Sequence, residues 1–198
     1  MAAYSYYIQD YYGDAIAELI RFNRVYPKHQ SLDYANYLLA ICYYEQIVDE
    51  KKDLKSINNA KDTFLLVINN FPNSEYALDS QFKLELIDDI LASKEMYLGR
   101  YYFEKKKWIP AINRFKTVAD KYDTTIYIEE ALHRLVEVHY KIGLKEEAEK
   151  YAKLLGYNYQ SSKWYEMTYS VFNKSYKKKR TEKLKKQNSV LNKVKSLL

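Results

Sequence analysis

Residues 97–121 read YLGRYYFEKKKWIPAINRFKTVADK, two short amphipathic runs joined by a tight charged turn. Leu98, Gly99 and Tyr102 fall on one face of the first run. Trp108, Ala111, Phe115 and Val118 come from the turn and from one face of the second. The residue types are complementary. Gly99 removes a side chain where the second helix must approach the first, and Ala111 does the same from the opposite side. Tyr102 and Phe115 are sized to fill the space between them. The rest of the chain is therefore read as further copies of this unit.

Leu, Gly, an aromatic three on, Ala nine further and Phe four after that is the tetratricopeptide order. Three other stretches carry it. Ala2, Ala3 and Tyr6, with Ala15, Leu19 and Phe22, make a unit closed by Pro27; Leu39, Ala40 and Tyr43, with Ala60, Phe64 and Val67, make one closed by Pro72. Leu135, His139, Gly143, Ala148, Ala152 and Leu155 make the last. The expected repeats lie near 1–27, 33–72, 92–123 and 129–160. The second carries extra residues in EQIVDEKKDLKS. The first begins part-way through its first helix, as a fragment or a misplaced start would.

From Glu75 to about Lys106 there is no proline and only Gly99, so one long helix of about 45 Å is expected. Ser74 is its N-cap candidate. The fold class is all-α, a tetratricopeptide right-handed superhelix (an α-solenoid) with a long central helix, over residues 1–160. A capping helix is expected over 161–176 and a basic tail over 177–198.

Composition agrees with helices: four Gly and three Pro in 198 residues leave little material for turns. The net charge of +6 is unevenly placed. After residue 160, eleven Lys or Arg stand against Glu166 and Glu182, giving +9 and leaving −3 for residues 1–160. A basic groove for nucleic acid on residues 1–160 is not supported by that distribution, and no nucleic acid is expected as a partner. In the tail, Leu184, Leu191, Val194 and Leu198 are helically spaced among lysines. The tail reads first as a solvated segment, next as a basic amphipathic helix on an anionic membrane surface or partner, and last as a contact for nucleic acid. No stretch has the ~20 apolar residues of a membrane span, and the N-terminus lacks the basic and apolar regions of a signal peptide.

No phosphate-binding glycine loop, nucleophile elbow or metal-ligand spacing occurs, and no cofactor, metal or catalytic residue is expected. His139 takes the place of a packing aromatic. Cys42 sits in an apolar run as a small buried hydrophobe. Binding is the use left for such a scaffold. The first helix of each repeat lines a groove, through Tyr34, Tyr37, Ile41 and Tyr44 in the second repeat. In the third the positions are Ser93, Met96, Arg100 and Phe103, and in the fourth Glu130, His133, Glu137 and Tyr140. The peptide-groove candidates are Tyr34, Tyr37, Ile41, Tyr44, Met96, Arg100 and Phe103. The aromatic, neutral second-repeat wall suits an extended peptide with bulky apolar side chains.

The run FPNSEYALDSQFKLELIDDILASKEMYLGRYYFEKKKWIPAINRF (71–115) resembles the BamD family of outer-membrane β-barrel assembly lipoproteins. So do HQSLDYANYLLAICYY before it and LKEEAEKYAKLLGYNY after it. The resemblance is collinear over about residues 1–160. It implies a non-enzymatic scaffold at the periplasmic face of the outer membrane. Its expected partners are the barrel-forming assembly protein (BamA-like, through its periplasmic domain), other assembly lipoproteins and unfolded outer-membrane proteins. It places docking on the third and fourth repeats, with Arg114, Glu137 and Tyr140 as candidates and Arg114 foremost. The lipid-bearing cysteine of the family has no counterpart in these residues. The alternative reading is a cytoplasmic tetratricopeptide adaptor for a chaperone or secretion partner.

Overall fold

The computed structural model describes residues 2–47, 54–160 and 162–173. Among these, nine helices run in order: α1 (Ala2–Tyr7), α2 (Tyr12–Val25), α3 (Leu32–Glu45), α4 (Lys55–Asn70), α5 (Glu75–Glu104), α6 (Trp108–Lys121), α7 (Ile128–Lys141), α8 (Lys145–Asn158) and α9 (Lys163–Phe172). The fold is all-α and of tetratricopeptide type, each helix packing on its neighbours in sequence. The basic tail at 177–198 and the middle half of the EQIVDEKKDLKS insertion, 48–53, lie outside the described residues, as do the last residues of the expected 161–176 cap.

The chain divides into two compact units, one ending at Lys94 and the next starting at Glu95. The boundary falls inside α5, an unbroken helix of 30 residues.

In the first unit α3 lies between α2 and α4. It is apolar around most of its circumference, and Ala35, Leu38, Leu39, Ala40, Ile41 and Cys42 are all buried. One core joins Ala15 and Leu19 of α2 to Leu38, Leu39 and Cys42. The other joins Ile41 to Ile57, Ala60 and Phe64 of α4 and Ile87 of α5. Ser74 accepts the Tyr76 N–H at 3.3 Å and donates to Asp33 at 3.0 Å, which caps α5 and ties its start to α3.

In the second unit Ala111, Phe115 and Val118 of α6 are fully buried. Pro110 sits in the first turn of α6, where a helix has no use for its missing N–H. α7 is the most enclosed helix, packed by α6, α8 and α9. It ends where Gly143 takes φ +88°, a left-handed conformation that only glycine adopts at no steric cost. Ser162 caps α9 by accepting the Tyr165 N–H at 3.1 Å.

Candidate interaction surfaces

In the first unit, three of the four expected wall residues of α3 meet the start of α5. The Tyr37 ring stacks on Tyr76 with centroids 5.1 Å apart, and Tyr34 meets the same ring at 5.4 Å. Tyr37 donates its hydroxyl to Asp79 at 2.6 Å. Burial, then that hydrogen bond, raises its phenol pKa far above the ordinary value. Lys83 sits over the Tyr44 ring at 5.0 Å. The tyrosines are half-buried rather than enclosed, so they form a floor with polar ends. Ile41 is different: it is buried in the core shared with α4 and α5 and offers no contact surface.

A cleft of about 500 Å3 opens beside this floor, lined by Ala2, Ala3, Leu19, Phe22, Tyr34 and Leu38 among others. Tyr34 also lines a smaller, more polar cleft with Gln30, Asp33 and Tyr76. One tyrosine therefore borders two concave surfaces.

In the second unit, Arg100 grips Glu130 with two hydrogen bonds, Nε at 2.9 Å and Nη2 at 2.6 Å. Arg134 extends the network, reaching Glu130 at 3.4 Å and Glu137 at 2.7 Å. Burial by itself would raise the Glu130 carboxyl. The hydrogen bonds and charges of Arg100 and Arg134 outweigh it and hold the group below the ordinary range. Arg100 is shifted upward by the same pairing.

Aromatic rings frame these charges. Arg134 lies over Phe103 at 5.4 Å and over Trp164 at 5.8 Å, while Lys141 lies over Phe103 at 4.2 Å. Tyr140 meets Phe172 edge-on at 5.4 Å. His133, at a wall position, is in fact buried, hydrogen-bonded to Thr168 of α9 at 2.8 Å. Met96 is fully buried as well. Neither residue is available to a ligand. Arg114 uses one nitrogen, Nη1, to reach both oxygens of Glu95 at 3.2 and 3.1 Å. Its side chain remains 42% exposed, and its guanidinium has further donors.

Of the groove residues expected from sequence, Tyr34, Tyr37, Tyr44, Arg100 and Phe103 keep partly exposed side chains. Sequence reasoning does not single out Tyr76, Asp79, Arg134 or Trp164, which pack or hydrogen-bond beside them. Trp164 reads from sequence only as a cap residue, and spacing within one helix carries no sign of a partner 30 or more positions away.

Residues 1–154 match the model of a family described as YfiO, outer membrane lipoprotein. The chain belongs to this family. Relatives named outer membrane protein assembly factor BamD agree with it. The protein of Rickettsia prowazekii (strain Madrid E) is 45% identical over 171 residues, 86% of this chain and 68% of that protein. That of Caulobacter vibrioides is 40% identical over 185 residues, 93% of this chain and 61% of that protein. That of Neisseria meningitidis (serogroup A) is 31% identical over 170 residues, 81% and 64% respectively. The chain thus spans roughly two thirds of the length of its BamD relatives. Among the described residues, no helix is long and apolar enough to cross a membrane.

Proposed function

We propose that this chain is a non-enzymatic scaffold in outer-membrane protein assembly, working at the periplasmic face of the outer membrane. The observation that carries this reading is the 45% identity to an assembly factor across most of the chain, together with the family match over residues 1–154. Helix pairs α1/α2, α3/α4, the end of α5 with α6, and α7/α8 act as repeat units, and α9 caps the last.

Three surfaces serve two roles. The α3 floor, with Tyr34, Tyr37 and Tyr44, receives extended apolar segments of unfolded outer-membrane proteins. Rings with fixed polar ends give large contact area at little loss of side-chain freedom. In the second unit, Arg100 and Phe103 form a shorter mixed surface for the same kind of segment. Arg114, Glu137 and Tyr140 form the docking face for the periplasmic region of the barrel-forming assembly protein. Both Arg114 and Glu137 are charged groups already held by a neighbour, so they are oriented before a partner arrives.

The test is replacement. Cells depleted of their own BamD receive this chain behind a lipoprotein leader, and barrel proteins in the outer membrane are measured. Restoration by the wild type and its loss in Arg114→Glu supports the reading. Failure to restore by a folded, membrane-attached wild type favours the cytoplasmic adaptor instead.

A further inference from the structure

The first half of α5 has a face that none of the contacts above uses. Leu78, Phe82 and Leu86 are spaced four residues apart and are 60, 56 and 47% exposed. Single exposed hydrophobic residues are ordinary on a protein surface. Three on consecutive turns of one helix form a ridge, the shape that packs into the groove of a second helix. The sides of α5 next to this ridge are already occupied. Ile87 joins the core with α4, and Tyr76 and Asp79 are held by Tyr37.

Charge gives the second half of the argument. The exposed ionic residues of this stretch, Glu75 and Glu85, are both acidic. Lys83, the cation between them, is directed onto the Tyr44 ring. Asp89 lies two turns beyond Phe82 on the same stripe and is partly exposed, adding a third carboxylate to this face.

We propose that the Leu78–Phe82–Leu86 ridge, with Glu75, Glu85 and Asp89, is a docking site for an amphipathic partner helix with an apolar row flanked by Lys or Arg. The apolar row packs against the ridge. The flanking cations meet the two exposed glutamates, and one of them reaches Asp89. An anionic membrane surface does not fit this face, because Glu75 and Glu85 repel it. Glu75 also borders the small polar cleft beside Tyr34 and Tyr76, so the site adjoins the α3 floor at that end, while Leu78, Phe82 and Leu86 take no part in the floor.

The experiment uses the full chain and three labelled helical peptides about five turns long. One has a leucine row flanked by lysines, the second has the same composition scrambled, and the third replaces the lysines by glutamates. Binding is read by fluorescence polarisation. The leucine–lysine helix is expected to bind at least about tenfold more tightly than either control. Phe82→Ser and Glu85→Lys should each weaken it by about tenfold, as expected for central interface residues. Both replaced side chains lie at the surface, so circular dichroism and melting temperature should not change. Arg114→Glu should leave this binding intact. Equal binding of the scrambled peptide, no effect of Phe82→Ser, or no binding by the full chain would each overturn the proposal.

Discussion

Phe115 lies so close to Gly99 that a methyl group added at the glycine would meet Cε1 of the ring at 2.5 Å. Phe115 is fully buried, so its ring cannot swing into solvent to make way. Gly99→Ala should therefore destabilise the protein by about 1–3 kcal/mol, the usual range for overpacking. Gly13, in α2, has nothing within 4 Å of the same added methyl. Gly13→Ala should stabilise by about 0.5–1 kcal/mol through the lower backbone entropy of the unfolded chain. Urea unfolding of the two variants should give shifts of opposite sign, and a neutral Gly99→Ala would contradict the close packing.

Glu130 gives the fold an acid limb. Its folded pKa is held below the ordinary value of 4.5, so the unfolded chain binds this proton more readily. The stabilisation is present above about pH 4.5 and is lost as pH falls through the depressed folded value. Glu130→Gln should cost about 1 kcal/mol at neutral pH, a modest figure because Arg100 is 41% exposed. Unfolding followed from neutral to acid pH should show a shallower decline for the variant than for the wild type.

Cys42 should be inert in the folded protein. Burial, and then the charge of Glu45, pushes its thiol up to about 11. At about pH 8 a disulfide reagent should react with Cys42 only after denaturant is added, since the thiolate is the reactive form. Prompt native-state labelling would mean that the α2–α3 core opens readily.

The Arg114–Glu95 pair allows fold and docking to be separated. Arg114→Glu alone removes the 3.1 Å ion pair to Glu95 and sets a second carboxylate near it, and should lower stability by about 1 kcal/mol. Adding Glu95→Arg exchanges the charges and should recover most of that loss. Melting temperatures of the wild type, the single variant and the exchange variant check it.

The repeat unit is legible in the sequence because it is local. Gly99, Ala111 and Phe115 lie within 17 positions, and the small and large side chains match each other by size alone. Depth is harder to read. Ile41 and Met96 occupy groove positions of a repeat, yet both are buried, because position in a repeat fixes the direction of a side chain and not what covers it. Pairings over distance are not legible at all. Tyr37 with Asp79 and His133 with Thr168 join residues 42 and 35 positions apart through packing between different helices. The tail at 177–198, which carries the positive charge of the chain, lies outside the described residues.

The most direct measurement is the affinity of the purified chain for the purified periplasmic region of the barrel-forming assembly protein, by isothermal titration. The wild type should bind saturably. Arg114→Glu and the exchange variant should both weaken binding by about tenfold or more, although the exchange variant has regained its stability. No binding by the wild type, or full affinity in the exchange variant, would contradict the scaffold role proposed for this surface.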